Sequence, residues 1–240
     1  MKILPNAEIL NLALLVDSTL VICDVHIGYE EALNKQGILV PRVQFEDIVK
    51  RIISILEEAG ALERIIVNGD LKHQFGSISD QEWRNTLKFI DLLGKHCKEV
   101  VLVKGNHDTI LGPIAKKRNI SIVDSFLIEP SKTLVLHGDK LPSKEQLKEC
   151  SAIIIGHEHP AVSIKEGARI EQFKCFLKGT YKRKPLIVQH SVSSIAEGTD
   201  LLRDEILSPL LEQDITDFEV YVVEDKVYKF GKLKNLMKRN

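Results

Sequence analysis

Five places along the chain set a metal-binding residue directly behind a short apolar run. Leu20-Val21-Ile22-Cys23 leads into Asp24-Val25-His26, and Ile65-Ile66-Val67 leads into Asn68-Gly69-Asp70. Val100-Val101-Leu102-Val103 precedes Gly105-Asn106-His107-Asp108, Leu134-Val135-Leu136 precedes His137-Gly138-Asp139, and Ile153-Ile154-Ile155 precedes Gly156-His157-Glu158-His159. Buried strands read as short apolar runs, and α/β folds bind ligands at the carboxyl ends of their strands. Asp, Asn and His at successive strand ends therefore predict a metal-dependent active site.

The donor types narrow the chemistry. Carboxylate, amide carbonyl and imidazole together suit borderline divalent ions: manganese, iron, zinc, cobalt or nickel. Calcium and magnesium prefer oxygen-only shells, and a structural zinc site would use thiolates, which the motifs lack. Asp24 and His26 share an i, i+2 spacing with His157 and His159, so each pair can turn toward one ion. Asp70 stands alone at its strand end and can bridge two ions, while Asn106 and His137 add two more ligands. This set fits two cations about 3.5–4 Å apart, the separation of hydrolytic two-metal sites.

The elements that must hold these residues follow from periodicity. Strands and helices alternate through residue 160. Phe45, Ile48, Val49, Ile52, Ile55 and Leu56 form one apolar face and predict a helix over residues 43–59, with Pro41 before it and Gly60 at its end. Ser79 with Glu82, and Ser143 with Gln146, have capping-box spacing and predict two further helix starts. Trp83 reads as core. Beyond Pro160, strands are expected over 161–164, 173–178, 186–189, 218–223 and 226–230, with one helix between 199 and 213 bent near Pro209. The basic end of the chain, 232–240, is expected to fray. The expected architecture is α/β: two β-sheets packed as a sandwich with helices outside, four layers in the order αββα. One domain over 1–240 is expected, its motifs within 20–160 and its strand-rich part, 161–240, completing the second sheet.

Composition excludes several alternatives. With 33 basic and 34 acidic residues, no global field draws the chain to nucleic acid or a membrane. No signal peptide or membrane-spanning apolar stretch is read, and Cys23, Cys97, Cys150 and Cys175 are scattered, as reduced thiols in a cytoplasmic protein would be. Lys174, Lys178, Lys182, Arg183 and Lys184 are read as a solvated hairpin, the alternative being a contact to a nucleic-acid backbone. His96 reads as surface, and His190 is assigned no role.

The order D-x-H, GD, GNHD, an isolated His and GHxH resembles the calcineurin-like metallophosphoesterase superfamily over residues 20–160. The resemblance implies that Asp24, His26, Asp70 and His159 hold one metal, and that Asp70, Asn106, His137 and His157 hold the other. It implies a hydroxide bridging the metals that attacks phosphorus in line, with His107 protonating the departing oxygen. Manganese is the expected ion. Asp108 would orient His107 or its loop, Asp139 would orient a ligand or cap its turn, and Glu158 would point away from the metals.

His73, three residues after Asp70, departs from the protein phosphatases, which carry Asp there followed by Arg-Gly; this chain continues Gln74-Phe75. Gly69-Asp70-Leu71-Lys72-His73 instead resembles the SbcD-like repair nucleases, in which that His orients the substrate. Gly198-Thr199-Asp200 resembles a segment of their small relatives. The expected function is phosphodiester hydrolysis on nucleic acid or nucleotide, the alternative being a phosphatase or pyrophosphatase of small nucleotides. A non-catalytic binding module is the rival of another class, as in the superfamily's retromer subunit, which has lost metal ligands. The full ligand set here argues for an enzyme. Oligomeric state is left open, with a homodimer allowed.

Overall fold

The computed structural model describes residues 1–74, 78–108, 111–118, 120–167 and 169–237. Its strands form two mixed sheets. The first runs β1 (Lys2–Leu4), β2 (Ala7–Leu10), β3 (Ala13–Val16), β4 (Thr19–Cys23), β5 (Leu62–Asn68), β6 (Cys97–Val103) and β7 (Ser121–Val123) in spatial as in chain order. β1 to β4 are antiparallel, and β4 to β7 are parallel. The crossovers carry helices α1 (Tyr29–Lys35), α2 (Gln44–Ala59), α3 (Asp80–Leu93) and α4 (Gly112–Arg118).

The second sheet is built from β8 (Ser125–Ile128), β9 (Thr133–Leu136), β10 (Ala152–Ile155), β11 (Pro160–Glu166), β12 (Arg169–Tyr181), β13 (Lys184–Val188), β14 (Thr199–Asp200), β15 (Glu219–Val223) and β16 (Val227–Lys232). Helix α5 (Lys144–Glu149) precedes β10, and α6 (Leu233–Met237) follows β16. At the centre of this sheet β9, β10 and β13 are parallel neighbours. β4, β5 and β6 in one sheet, and β9 and β10 in the other, thus deliver their carboxyl ends to the site.

Strand alternation explains how the layers pack. Val135, Ile154, Phe176, Ile187 and Tyr221 turn toward the first sheet and join its core. Their neighbours Leu134, Leu136, Ile153, Ile155, Leu177, Val188, Val220 and Val222 face the other way, into a second core with Leu233 and Leu236 of α6. Period-two side chains can do this only when both sheet faces are covered. Helix α2 buries Ile48, Ile52, Ile55 and Leu56, the face its spacing predicts. Polar ties join the sheets near the site: Asn68 Nδ2 donates to Leu136 O at 3.0 Å, and Gln189 Nε2 donates to Leu12 O at 2.9 Å and Val21 O at 3.0 Å.

Three expectations need correction. Residues 199–213 form no helix: Thr199–Asp200 is the short strand β14, and the rest turns irregularly over the second core through Leu201, Leu210 and Leu211. The backbone N–H groups of Leu207 and Ser208 donate to the fully buried Glu158, at 2.9 and 2.8 Å, and Ser208 Oγ donates to Gly138 O. Those bonds outcompete the helical pattern around Pro209. The Ser79 capping box is half formed: Ser79 Oγ accepts from Glu82 N at 3.1 Å, but the Glu82 carboxylate accepts instead from His73 N and Gln74 N at 2.9 and 3.1 Å. At 143–146 the box is complete. Finally, residues 233–237 are helix rather than a frayed tail, while 238–240 lie outside the described residues.

All four cysteines are free, and Cys23, Cys150 and Cys175 are buried. Among the described residues no helix is long and apolar enough to cross a membrane. Glu158→Ala should cost roughly 1–3 kcal/mol, since the buried Ser208 N–H and the part-buried Leu207 N–H lose an acceptor. Urea denaturation checks this, and Glu158→Gln, which keeps an acceptor oxygen, should lose less.

Candidate metal centre

Two carboxylates anchor the site, and both are set by the same local construction. Asp24 follows β4, and its Oδ2 accepts the N–H of His157 at 3.0 Å. Asp70 follows β5, and its Oδ1 accepts the N–H of His107 at 2.9 Å. In each case the donor lies one or two residues after a glycine packed against the carboxylate: His157 directly follows Gly156, and His107 is two beyond Gly105. A Cβ at Gly105 would overlap Asp70 Oδ1, and one at Gly156 would overlap Asp24 Oδ2. Both glycines therefore exist for close approach.

Imidazoles and one amide close around these carboxylates. His137 Nε2 lies 2.9 Å from Asn106 Oδ1, 3.1 Å from His157 Nδ1 and 3.6 Å from Asp70 Oδ2. His159 Nε2 lies 3.3 Å from Asp24 Oδ2, and His26 Nε2 lies 3.9 Å from Asp70 Oδ2. One oxygen, Asp70 Oδ2, thus faces both sets. The donors also group as Asp24, His26 and His159, as Asp24, Asp70 and His137, and as His26, His73 and His107, each within 4.8 Å. All seven residues expected as ligands are brought together, with His73 and His107 beside them.

The centre is built at a conformational cost. Asp24, His26, Asp70, His157 and His159 all have positive φ, between 40° and 62°. Non-glycine residues held there store on the order of 1–3 kcal/mol each. Asp24 Oδ1, His26 Nδ1 and His137 Nδ1 are buried without a hydrogen bond. Unsatisfied buried polar atoms, left-handed backbone and adjacent carboxylates fit a site whose missing partners are cations. The donors, all nitrogen and oxygen, suit borderline divalent ions.

The electrostatics agree. Burial holds His26 well below its ordinary pKa, lowers His157, and brings His137 down to about 4, so the imidazoles are neutral and able to ligate. Burial opposes ionisation of both carboxylates. For Asp24 the neighbouring His159, His137 and His26 outweigh it and carry the pKa down. Asp70 has no such excess and also faces the charge of Asp24, so its pKa rises to about 9. The two adjacent buried carboxylates therefore favour keeping one proton between them when no metal is bound.

His107 and His73 form the open rim. His107 Nδ1 bonds to His73 O at 2.5 Å, so Nδ1 is the donor. The other nitrogen, Nε2, points toward Asp70 Oδ2 at 3.8 Å. The ring of His73 stacks on Tyr29, centroids 4.1 Å apart. Asp108 does not bond to the His107 ring; its carboxylate accepts from Leu71 N and Lys72 N at 3.4 Å and from Gly105 N at 3.1 Å, joining two motif loops. Asp139 lies 3.7 Å from Lys140 Nζ and hydrogen-bonds to no ligand.

Several residues that support the site carry no motif. Ser191 Oγ donates to Asp24 O, and Val192 N donates to Cys23 O at 3.2 Å. Gln44 Nε2 donates to His26 O and Ser193 Oγ, both at 2.9 Å. Thr199 N donates to His159 O at 3.0 Å. His190, given no role from sequence, is fully buried with its ring 5.8 Å from that of His159. It ends β13 as the motif residues end their strands, and that shared pattern was the available signal. Of the basic run, Lys174 donates to Ser193 O and Lys184 to Cys150 O, while Lys182 and Arg183 form the turn, with φ of 47° and 68°. Lys174 is thus held by the segment behind the centre, and burial pushes its pKa down to about 7. His96 is exposed.

A sandwich of mixed sheets with carboxylates, imidazoles and an amide converging at its strand ends is the architecture of a metal-dependent hydrolytic centre. Residues 18–149 match the calcineurin-like phosphoesterases, and the chain belongs to that family. Membership makes it a metal-dependent phosphoester hydrolase. A nuclease of Pseudomonas putida, MPE, has a similar fold, with a TM-score of 0.62 and 18% identity over 92% of this chain and 93% of that one. Vps29 of Entamoeba histolytica with zinc aligns at a TM-score of 0.40 and 17% identity, covering 89% and 98%. A phosphoesterase-like protein of Streptococcus pneumoniae aligns at 0.38 and 13%, covering 89% and 97%. No curated protein matches the chain.

Two outcomes follow. Gly105→Ala should displace Asp70 and lower the affinity for divalent ions by at least about tenfold, on the scale of 1.4 kcal/mol; metal analysis after dialysis checks it. Because Asp70 keeps its proton below about 9, metal binding at pH 7 must expel it. Calorimetry in buffers of different ionisation enthalpy should show about one proton released per chain, with affinity rising as pH increases. Asp70→Asn should abolish that release.

Proposed function

We propose that the chain hydrolyses phosphodiesters, with nucleic acid or nucleotides as the substrate class. The observation that carries this reading is a pair of cavities reaching the centre through different ligands. One, about 720 Å³, is lined by Asn106 and His137 together with Lys104 and Lys140. The other, about 600 Å³, is lined by His26, His73, His107 and His159 together with Tyr29 and Leu33. They share no lining residue. A diester has an organic group on each side of phosphorus and needs both spaces; a monoester needs one. The Tyr29 ring and the apolar Leu33, Val40 and Ile195 suit a flat group such as a nucleobase. The similarity of fold to a nuclease points the same way.

In this reading Asp24, His26, Asp70 and His159 hold one cation, and Asp70, Asn106, His137 and His157 the other, with manganese the expected ion. When bound, the pair supplies positive charge for the phosphoryl oxygens and activates water. His107 turns Nε2 to the substrate and, once protonated there, gives that proton to the departing oxygen, while Nδ1 stays committed to His73 O. His73, fixed between Tyr29 and His107, contacts the phosphodiester. Asp108 serves by holding the loops of both histidines in register. We read residues 1–240 as one catalytic domain, because residues from both sheets share one core, and as a cytoplasmic protein, in keeping with its free thiols.

Metal-free protein reloaded with single metals should turn over bis-p-nitrophenyl phosphate or single-stranded DNA at least about tenfold faster than p-nitrophenyl phosphate. His107→Gln should cut turnover of DNA by about 10²–10⁴-fold. Preference for the monoester would overturn the diester reading and favour a nucleotide phosphatase. Inactivity with every metal would favour the binding module.

A further inference from the structure

Lys72 is fully buried, among the largest side chains with no exposure at all. Its ammonium donates to two backbone carbonyls, Gln74 O and His107 O, the latter at 2.8 Å. A buried ammonium costs several kcal/mol in desolvation unless it is well compensated. An apolar side chain would leave both carbonyls without this donor, so the ammonium has a reason beyond packing.

The bonds around it supply that reason. The segment that carries Lys72 is fixed on every side. Ile27 N donates to Leu71 O and His73 N donates to Ile27 O, both at 3.0 Å. Asp108 accepts Lys72 N, and Glu82 accepts His73 N and Gln74 N. The loop of His107 is held to this frame at three points. Its N–H bonds to Asp70 Oδ1, its Nδ1 bonds to His73 O, and its carbonyl receives the Lys72 ammonium. The first of these also depends on the cation centre, and the second leaves the peptide free to pivot. Lys72 grips the carbonyl side of His107, opposite its N–H.

Resting on the phosphodiesterase reading above, we propose that Lys72 is a positioning residue: its buried ammonium pins the His107 peptide to the His73 loop, and so aims His107 Nε2 at the departing oxygen. The proton moves from His107 Nε2 to the ester oxygen as the phosphorus–oxygen bond breaks, the bonding pair leaving with that oxygen. Lys72 exchanges no proton with substrate.

Leaving-group dependence tests this. p-Nitrophenolate departs as a stable anion and needs no proton, whereas the sugar alkoxide of the dinucleotide TpT needs one. In Lys72→Met and Lys72→Gln, kcat on TpT should fall at least about tenfold more than kcat on bis-p-nitrophenyl phosphate, with bound metal unchanged. Equal losses on both substrates, loss of metal, or no loss would overturn the assignment. So would failure of both variants to fold, which would make Lys72 a stability residue. Inactivity of the wild-type chain on both diesters would instead sink the phosphodiesterase reading, and this assignment with it.

Discussion

Two carboxylates, Asp24 and Asp70, are buried side by side, and the rest of the structure is arranged around that conflict. Like charges in a poorly solvating interior cannot both persist without a counter-ion, so the metal-free pair retains a proton. Neutral imidazoles surround the carboxylates instead of lysine or arginine, which would have neutralised them permanently and closed the site to metals. Lys72, next to His73 of the rim, turns its ammonium away into backbone carbonyls. The protein thus leaves the positive charge to be supplied from outside.

Rigidity is the means by which this arrangement survives. Each carboxylate is wedged against a glycine from another strand end and bonded to an N–H one or two residues beyond it. The ligands come from both sheets, so the shared core between the sheets sets the spacing of the donors. Left-handed backbone at five of the ligand residues follows from this. Each of those chains must turn sharply at the sheet edge to bring its side chain back over the strand ends, and the interlocked hydrogen bonds hold it there.

Much of this was legible in the residues. Apolar runs ending in Asp, His or Asn located the strands of the site, because a buried parallel strand and a strand-end ligand both leave local marks. Helix α2 was readable from its single apolar face. What failed did so where a distant partner decided the outcome. Around Pro209, Glu158 claimed the N–H groups that a helix would have used. At Glu82, two loop N–H groups took the carboxylate that the capping box required. Gln44, Ser191 and Lys72 act through backbone carbonyls far away in sequence, and no spacing announces such a bond. His190 was different: the apolar run before it had the same form as the others, but it stood outside the recognised motif order.

The segment from Gln189 to Thr199 carries none of the metal-binding donors, yet it props the carbonyls behind Asp24 and His159 and, through Gln44, that behind His26. The stretch that matches the family ends at residue 149, so the site is braced by chain that lies beyond the matched stretch. Grafting the motif-bearing strands onto a foreign scaffold would import the claws of the chelator without the splint that keeps them flexed.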